Sequence, residues 1–348
     1  MIKEFKTPIS GKSVFIGPDS KEDIIILAIE TSCDETACAI VKNGREVLSN
    51  VVASQIKTHR EFGGVVPEVA AREHLDAINL VINEAFEQSG LKPSDITAIA
   101  ATVGPGLVGC LLVGLNAAKA LAVAYDKPFI GVNHLNAHVC ANYIDTELEP
   151  PFVALLVSGG HTQIIKVDSY LEQSIIGETI DDATGEAYDK VARLIGLPYP
   201  GGLNLDRMAP AGDPNRFKFT EAKVGEYDFS FSGLKTAVLQ LIQKLKKESP
   251  ELPKEDIAAS FQECITKILF KKTVKAAESI NSKVIALGGG VAANSEIRKK
   301  FYALESEGYK IYAPAMKYCT DNASMIASAA YFLAETTDSL DVEVFSRL

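Results

Sequence analysis

The feature that most constrains this chain is an opening that occurs twice. Ile24 to Thr31 is a β-branched run, Ser32-Cys-Asp-Glu35 turns, Thr36 to Val41 alternates as a strand, and Asn43-Gly44 is a hairpin signal before Glu46 to Ala53. Phe152 to Val157 begins the same series again, with the turn Ser158-Gly-Gly-His161, a strand from Thr162 to Val167 and a third near Ile175. Helix and strand alternate after each opening, so the pattern predicts an α/β architecture of two duplicated lobes, each built on a mixed sheet. A chain of 348 residues that is 47% hydrophobic can supply both lobes with a core.

The connecting helices are readable from spacing and punctuation. Pro67 to Ser89 carries Ile78, Val81, Ile82, Ala85 and Phe86 at helical intervals, with proline at its start and Gly90 at its end. Gly185 to Ile195 repeats this on a smaller scale, and Ile257 to Ile280 reads as a long helix. Ile96 to Ala118 is uncharged and long enough to span a bilayer, but Gly104-Pro105-Gly106 interrupts it. A buried strand, a tight loop and a buried helix from Leu107 to Ala124 are expected there, with no membrane partner.

Charge and cysteine usage narrow the function. A net charge of −10 repels nucleic acid as a whole, so a nucleic-acid role requires a local patch or a basic partner. Lys and Arg outnumber Asp and Glu between Arg207 and Lys247, which suits either such a patch or a solvated helix face. The six cysteines form no C-x-x-C pair and lie in apolar runs, as expected of reduced thiols in a cytoplasmic protein. Residues 1–23 are polar, lack the apolar stretch of a signal peptide, and read as a floppy extension.

Chemistry concentrates in a few places. His134-Leu-Asn-Ala-His138 puts two imidazoles one helical turn apart, a spacing that suits a shared metal ion and equally suits two helix-packing side chains. A metal would need a third ligand, and Asp321 is the best candidate, with Thr320 or Asp321 as N-cap of the apolar helix that follows. Ser158-Gly159-Gly160 and Gly288-Gly289-Gly290 are turns whose backbone N–H groups can approach a phosphate or carboxylate. Twin hairpin loops, a glycine-rich helix entry and duplicated lobes together look like the actin-like ATPase (ASKHA) fold, which clamps a nucleotide in an interlobe ligand cleft.

The resemblance then becomes specific. Glu30-Thr-Ser-Cys-Asp-Glu-Thr36, Gly63-Gly-Val-Val-Pro-Glu68, Gly104-Pro-Gly-Leu107, His134-Leu-Asn-Ala-His138, Ser158-Gly-Gly-His161, Phe231-Ser-Gly-Leu-Lys235, Gly288-Gly-Gly-Val-Ala-Ala-Asn294 and Thr320-Asp-Asn322 occur in this order. Together they resemble the TsaD family, which completes threonylcarbamoyl-adenosine in tRNA. A zinc-peptidase reading fails, because His-Glu-x-x-His needs glutamate where Leu135 stands. The extension before Ile24, and Leu203 where proline is expected after Gly201-Gly202, depart from the family pattern.

The resemblance implies transfer of the threonylcarbamoyl group from threonylcarbamoyl-AMP to N6 of the adenosine just after the anticodon of tRNAs reading ANN codons, releasing AMP. It implies one divalent metal, iron or zinc, on His134, His138 and Asp321, and an adenylate-type nucleotide as substrate. Val157, Ser158, Gly159, Gly160 and His161 would surround the metal-side part of that substrate, and Asp189, Gly202, Asp206 and Asn294 its adenosine side. Glu30 and Asp34 are candidates to act on the incoming amine. Implied partners are tRNA, a paralogous inactive subunit (TsaB-like) and a small ATPase (TsaE-like). The competing reading is an ATP-dependent kinase or ATPase of the actin-like superfamily, which needs magnesium and no histidines. The expected layout is 24–131 as first lobe, completed by a C-terminal helix over 322–348, and 132–321 as second lobe holding the metal and nucleotide sites.

Overall fold

The computed structural model describes residues 2–249, 251–333 and 340–346. The chain divides into two compact units, one of residues 1–149 and 320–348, the other of residues 150–319. His134, His138 and Asp321 therefore all belong to the first unit, whereas a boundary after 131 would place them in the second.

Residues 2–23 are not a floppy tail. Strand β1 (Lys3–Lys6) pairs antiparallel with β2 (Ser13–Ile16), and the hairpin buries Phe5 and Ile16. Its loop is pinned where the Ile9 and Ser10 N–H groups donate to Asp126 Oδ1 at 2.9 and 3.1 Å. Pro8 and Gly11, which suggest looseness when read in isolation, are turn residues between two short strands.

The first sheet is built from β3 (Ile25–Glu30), β4 (Glu35–Lys42), β5 (Glu46–Ser54), β6 (Ala98–Gly104) and β7 (Phe129–Asn133) in the order β5-β4-β3-β6-β7. The hairpin pairs are antiparallel, and β3, β6 and β7 run parallel. Asn43 and Gly44 both adopt positive φ at the centre of the turn between β4 and β5, which the Arg45 N–H closes on the Lys42 carbonyl. A Cβ on Gly44 would also strike Tyr331 and Phe332. Between β5 and β6 lie α1 (Ile56–Phe62) and α2 (Pro67–Ser89), the latter ended by Gly90 in the left-handed conformation. Helix α3 (Val108–Tyr125) is long and apolar enough to cross a membrane. It buries Cys110, Leu111, Leu115, Ala118 and Ala122 while leaving Val108, Leu112 and Val123 exposed, so the helix expected to be buried is buried on one face only. Helix α4 (His134–Cys140) follows β7 directly.

The second unit repeats this topology. Strands β8 (Phe152–Val157), β9 (Thr162–Val167), β10 (Gln173–Glu178), β11 (Val284–Gly288) and β12 (Lys310–Tyr312) form a sheet in the order β10-β9-β8-β11-β12, with the same antiparallel pairs followed by parallel ones. Helices α5 (Thr184–Leu194), α6 (Gly201–Met208), α7 (Ser232–Glu248), α8 (Lys254–Ser279) and α9 (Ser295–Tyr302) complete it. The duplication read from the twin openings is thus a duplication of strand order.

The chain then returns to the first unit as α10 (Ala323–Phe332), which is buried along its whole length against α4, β3 and β4. The helix expected over 322–348 is shorter than that. Residues 334–339, 347 and 348 lie outside the described residues, and 340–346 are irregular, with Val342, Val344 and Phe345 packed on the first core.

Candidate functional site

The first unit gathers the metal-type residues by local rules. Strand β7 ends at Asn133, whose side chain caps α4 by accepting from the Leu135 and Asn136 N–H groups at 2.9 and 3.2 Å. That cap sets His134 at the first helical position and His138 one turn later, with their rings edge to face at 4.6 Å. The N-cap of α10 is Asn322, which accepts from Met325 N–H at 3.2 Å; neither Thr320 nor Asp321 holds that place. Released from capping, Asp321 directs Oδ1 to His138 Nε2 at 3.3 Å and His134 Nε2 at 3.6 Å.

This arrangement fits a metal ion. The three ligand atoms lie within 4.8 Å of one another, and atoms about 2.1 Å from a tetrahedral ion stand about 3.4 Å apart. His138 is 1% exposed and neither ring nitrogen makes a well-directed hydrogen bond with the protein, which a buried imidazole tolerates poorly unless something else engages it. His134 has the support expected behind a ligand: its Nδ1 is 3.1 Å from Glu30 Oε2 and 3.3 Å from Ser32 Oγ, leaving Nε2 for Asp321 and an ion. Burial opposes charge on His134, yet Glu30 and Asp321 outweigh it and lift its pKa to about 9. Asp321 is likewise pulled down to about 2, against burial, by the two histidines. A positive charge between these carboxylates is what the local field favours.

Glu30 has a different place from the one expected of a residue acting on an incoming amine. It is fully buried at the end of β3, with Oε1 accepting from Ser32 N–H and Oε2 from the Thr102 hydroxyl, both at 2.5 Å, beside its contact to His134. A carboxylate so enclosed acts through His134. Asp34 is partly exposed, and burial, followed by the charge of Asp321, raises its pKa. Its neighbour Glu35, which lies in the same Glu30–Thr36 motif but carries no expected role, is pushed up to about 8 by burial despite a hydrogen bond from Ser54.

The second unit holds the remaining candidates. In the turn after Val157, Ser158 N–H donates to the His161 carbonyl and Ser158 Oγ accepts from His161 N–H. A Cβ on Gly159 or Gly160 would meet nothing within 4 Å, so the loop offers an open backbone face. Gly289, with φ of +85°, lies so close to the Val157 carbonyl that a side chain is excluded, which sets the second glycine loop against the first. Asp189 Oδ1 accepts from Gly202 N–H at 2.9 Å, and burial raises its pKa. Asp206 accepts from both the N–H and the hydroxyl of Ser295. Asn294 is occupied internally: Oδ1 caps α9 through the Glu296 and Ile297 N–H groups, and Nδ2 donates to Gln262 at 2.9 Å. All of these candidates thus lie within the second unit, where contacts join Ser158 to His161 and Asp189 to Gly202, and the part Asn294 can play is to shape its loop.

A family model described as TsaD, tRNA N6-adenosine threonylcarbamoyltransferase, matches residues 46–328. A protein of that name from Picosynechococcus sp. is 55% identical over 335 residues, covering 93% of this chain and 94% of the relative. The chain belongs to that family. A Clostridium perfringens member is 54% identical over 312 residues, covering 88% of this chain and 92% of its own. Among solved structures, full-length HypF in a phosphate- and nucleotide-bound form aligns with a TM-score of 0.61 at 14% identity, over 90% of this chain and 47% of that one. The (R)-2-hydroxyglutaryl-CoA dehydratase component A of Acidaminococcus fermentans gives 0.51 at 16% identity, over 90% and 99%. At such identities the likeness is one of fold, in keeping with the two duplicated mixed sheets of this TsaD-family chain.

Proposed function

We propose that this TsaD-family chain transfers a threonylcarbamoyl group from threonylcarbamoyl-AMP to the N6 amine of the adenosine just after the anticodon of tRNAs reading ANN codons, with AMP leaving. The observation that carries the mechanistic reading is the convergence of His134, His138 and Asp321, backed by the Glu30 carboxylate. Two imidazoles and a carboxylate suit iron or zinc. When bound, such an ion supplies Lewis acidity toward a carbonyl or carboxylate oxygen of the donor.

The chain's own residues do the rest. Glu30 fixes the His134 tautomer, so that Nε2 keeps its lone pair for the ion. Asp34, whose raised pKa makes it a better base, is the acceptor for the proton that the weakly nucleophilic amine sheds. In the second unit, the open Gly159-Gly160 backbone of the turn that Val157, Ser158 and His161 shape offers N–H groups to the donor's anionic part. Asp189, Gly202, Asp206 and the Asn294 loop frame its adenosine. Positioning accounts for most of the acceleration in such a scheme.

A chain of net charge −10 binds tRNA weakly by itself and calls for a basic partner. The family resemblance implies a TsaB-like paralogue and a TsaE-like ATPase as the helpers. The test is elemental analysis of His138→Ala beside a transfer assay with tRNA and threonylcarbamoyl-AMP. Metal and transfer should be lost together while cooperative melting persists. Full metal occupancy in that variant would reduce His138 to a packing residue.

A further inference from the structure

Two histidines outside the metal cluster have no part in the chemistry above. His59 on α1 and His74 on α2 are both fully buried, a placement tolerated when every polar atom is bonded. The Val66 N–H lies 3.4 Å from His59 Nδ1, and His59 Nε2 lies 3.0 Å from Gln55 Oε1. Gln55 Nε2 and Thr36 Oγ1 lie 3.3 and 2.7 Å from His74 Nδ1, and His74 Nε2 is 3.0 Å from the Cys33 carbonyl.

The groups at either end settle every donor in this series. The Cys33 carbonyl can only accept, so His74 carries its proton on Nε2, and its Nδ1 accepts from Thr36 and Gln55. The Val66 N–H can only donate, so His59 accepts at Nδ1 and donates from Nε2 to Gln55. Burial, which lowers the His74 pKa, agrees with the neutral ring this pattern demands.

The series ends on the turn that borders the metal cluster. Three successive carbonyls of that turn are each held by a different segment: Ser32 by the Leu107 N–H at 2.8 Å, Cys33 by His74, and Asp34 by the Gln55 N–H at 3.1 Å. Ser32 Oγ reaches His134 Nδ1, and Asp34 feels the charge of Asp321. Leu107 closes the Gly104-Pro-Gly-Leu motif, while Val66 lies in the Gly63–Glu68 motif, so two motifs without a ligand of their own act on one turn.

We infer that His74 is a positioning residue for the transfer reaction, its Nε2–H holding the Cys33 carbonyl so that Ser32 and Asp34 keep their places beside His134 and Asp321. His59 and Gln55 fix its tautomer and tie it to the Gly63–Glu68 motif. This rests on the transfer reading above.

The experiment compares His74→Leu with His74→Gln in steady-state transfer, with the partner proteins present, beside metal content and melting. Glutamine can donate to Cys33 and accept from Thr36, whereas leucine can do neither. Expected are a kcat reduced about 10–100-fold in His74→Leu, an unchanged KM for the adenylate, parental metal content, and recovery of most of the rate in His74→Gln. Parental kcat in the leucine variant, no recovery by glutamine, or loss of metal along with rate would each overturn the inference. Should the leucine variant fail to melt cooperatively, ¹⁵N-histidine spectra of the parent decide: a neutral Nε2–H tautomer at His74 at about pH 6 supports it, and an imidazolium or Nδ1–H tautomer there overturns it. An inactive parent with this tautomer in place would fault the transfer reading alone.

Discussion

Replacing Glu30 by glutamine tests the metal centre from behind. The carboxylate accepts from Ser32 N–H at one oxygen and from the Thr102 hydroxyl and His134 at the other, in a site closed to water. An amide can satisfy this set in neither orientation. With its NH₂ toward His134, the imidazole must accept at Nδ1, which moves the ring proton to Nε2, where it blocks the metal. With its carbonyl toward His134, the NH₂ opposes the Ser32 N–H, and an opposed buried donor costs about 1–3 kcal/mol. The lost charge-assisted bond is worth a similar about 1.5–3 kcal/mol, so metal affinity should fall about 10–100-fold, in the range found for carboxylates behind metal-binding histidines. Competition with a chelator of known affinity, followed by metal release at fixed pH, measures this, and Thr102→Val is the control because it keeps the carboxylate. A Glu30→Gln protein that melts cooperatively and holds metal within about threefold of the parent would refute the argument.

Other outcomes follow from the same geometry. Asn294→Ala removes the α9 cap and the Gln262 bond, so it should lower stability by about 1 kcal/mol or more and weaken adenylate binding in calorimetry, with metal content unchanged. Lys244, Lys246 and Lys247 lie exposed toward the C-terminal end of α7; changing all three to glutamate should weaken tRNA binding and flatten its salt dependence by about 0.9 in log-log slope for each phosphate no longer neutralised. Equal affinities at several salt concentrations would make that segment only a solvated face. Asp181 is held down to about 2, against burial, by the Ser230 and Ser232 hydroxyls and the Phe231 and Ser232 N–H groups at the start of α7. Its folded pKa lies below the unfolded value of about 3.9, so its stabilisation is present above pH 4 and lost as pH falls toward 2; solvent screening keeps it to about 1 kcal/mol or less. Melting of Asp181→Asn should therefore fall below the parent at neutral pH, with the gap closing through that acid window.

Much of this was legible because it is local. The Asn43-Gly44 turn, Pro67 opening α2 and Gly90 closing it are backbone requirements written into single residues. The histidine spacing survives as a shared face because Asn133 caps α4 one residue earlier. What escaped depends on partners distant in sequence. Nothing local distinguishes Phe5 and Ile16 from residues of a loose polar tail until they are seen as buried members of one hairpin, opposite Val14 and Lys3. His74 lies on the apolar face of α2, where helical spacing shows a core position but not the Cys33 carbonyl it serves. Asn322 and Asp321 are both good caps by type, and only the backbone at Asn322 decided which of them was free to bind a metal.

That choice matters because Asp321 and the histidines are separated by the entire second unit of the chain. The carboxylate is placed by α10, which is buried from Ala323 to Phe332, packs on α4 itself and is tied to it where Ser328 Oγ donates to the Cys140 carbonyl at 3.1 Å. The candidate ligand at the head of α10 and the two candidates on α4 are therefore held by one helix pair and one core. A ligand set carried on rigid packed helices keeps its geometry when a single donor is removed, which is why losing one ligand is expected to empty the site without unfolding the unit. The same packing explains why the last described helix belongs with the first sheet: its small and apolar side chains pack against β3 and β4, and Asp321 comes to the histidines as a consequence.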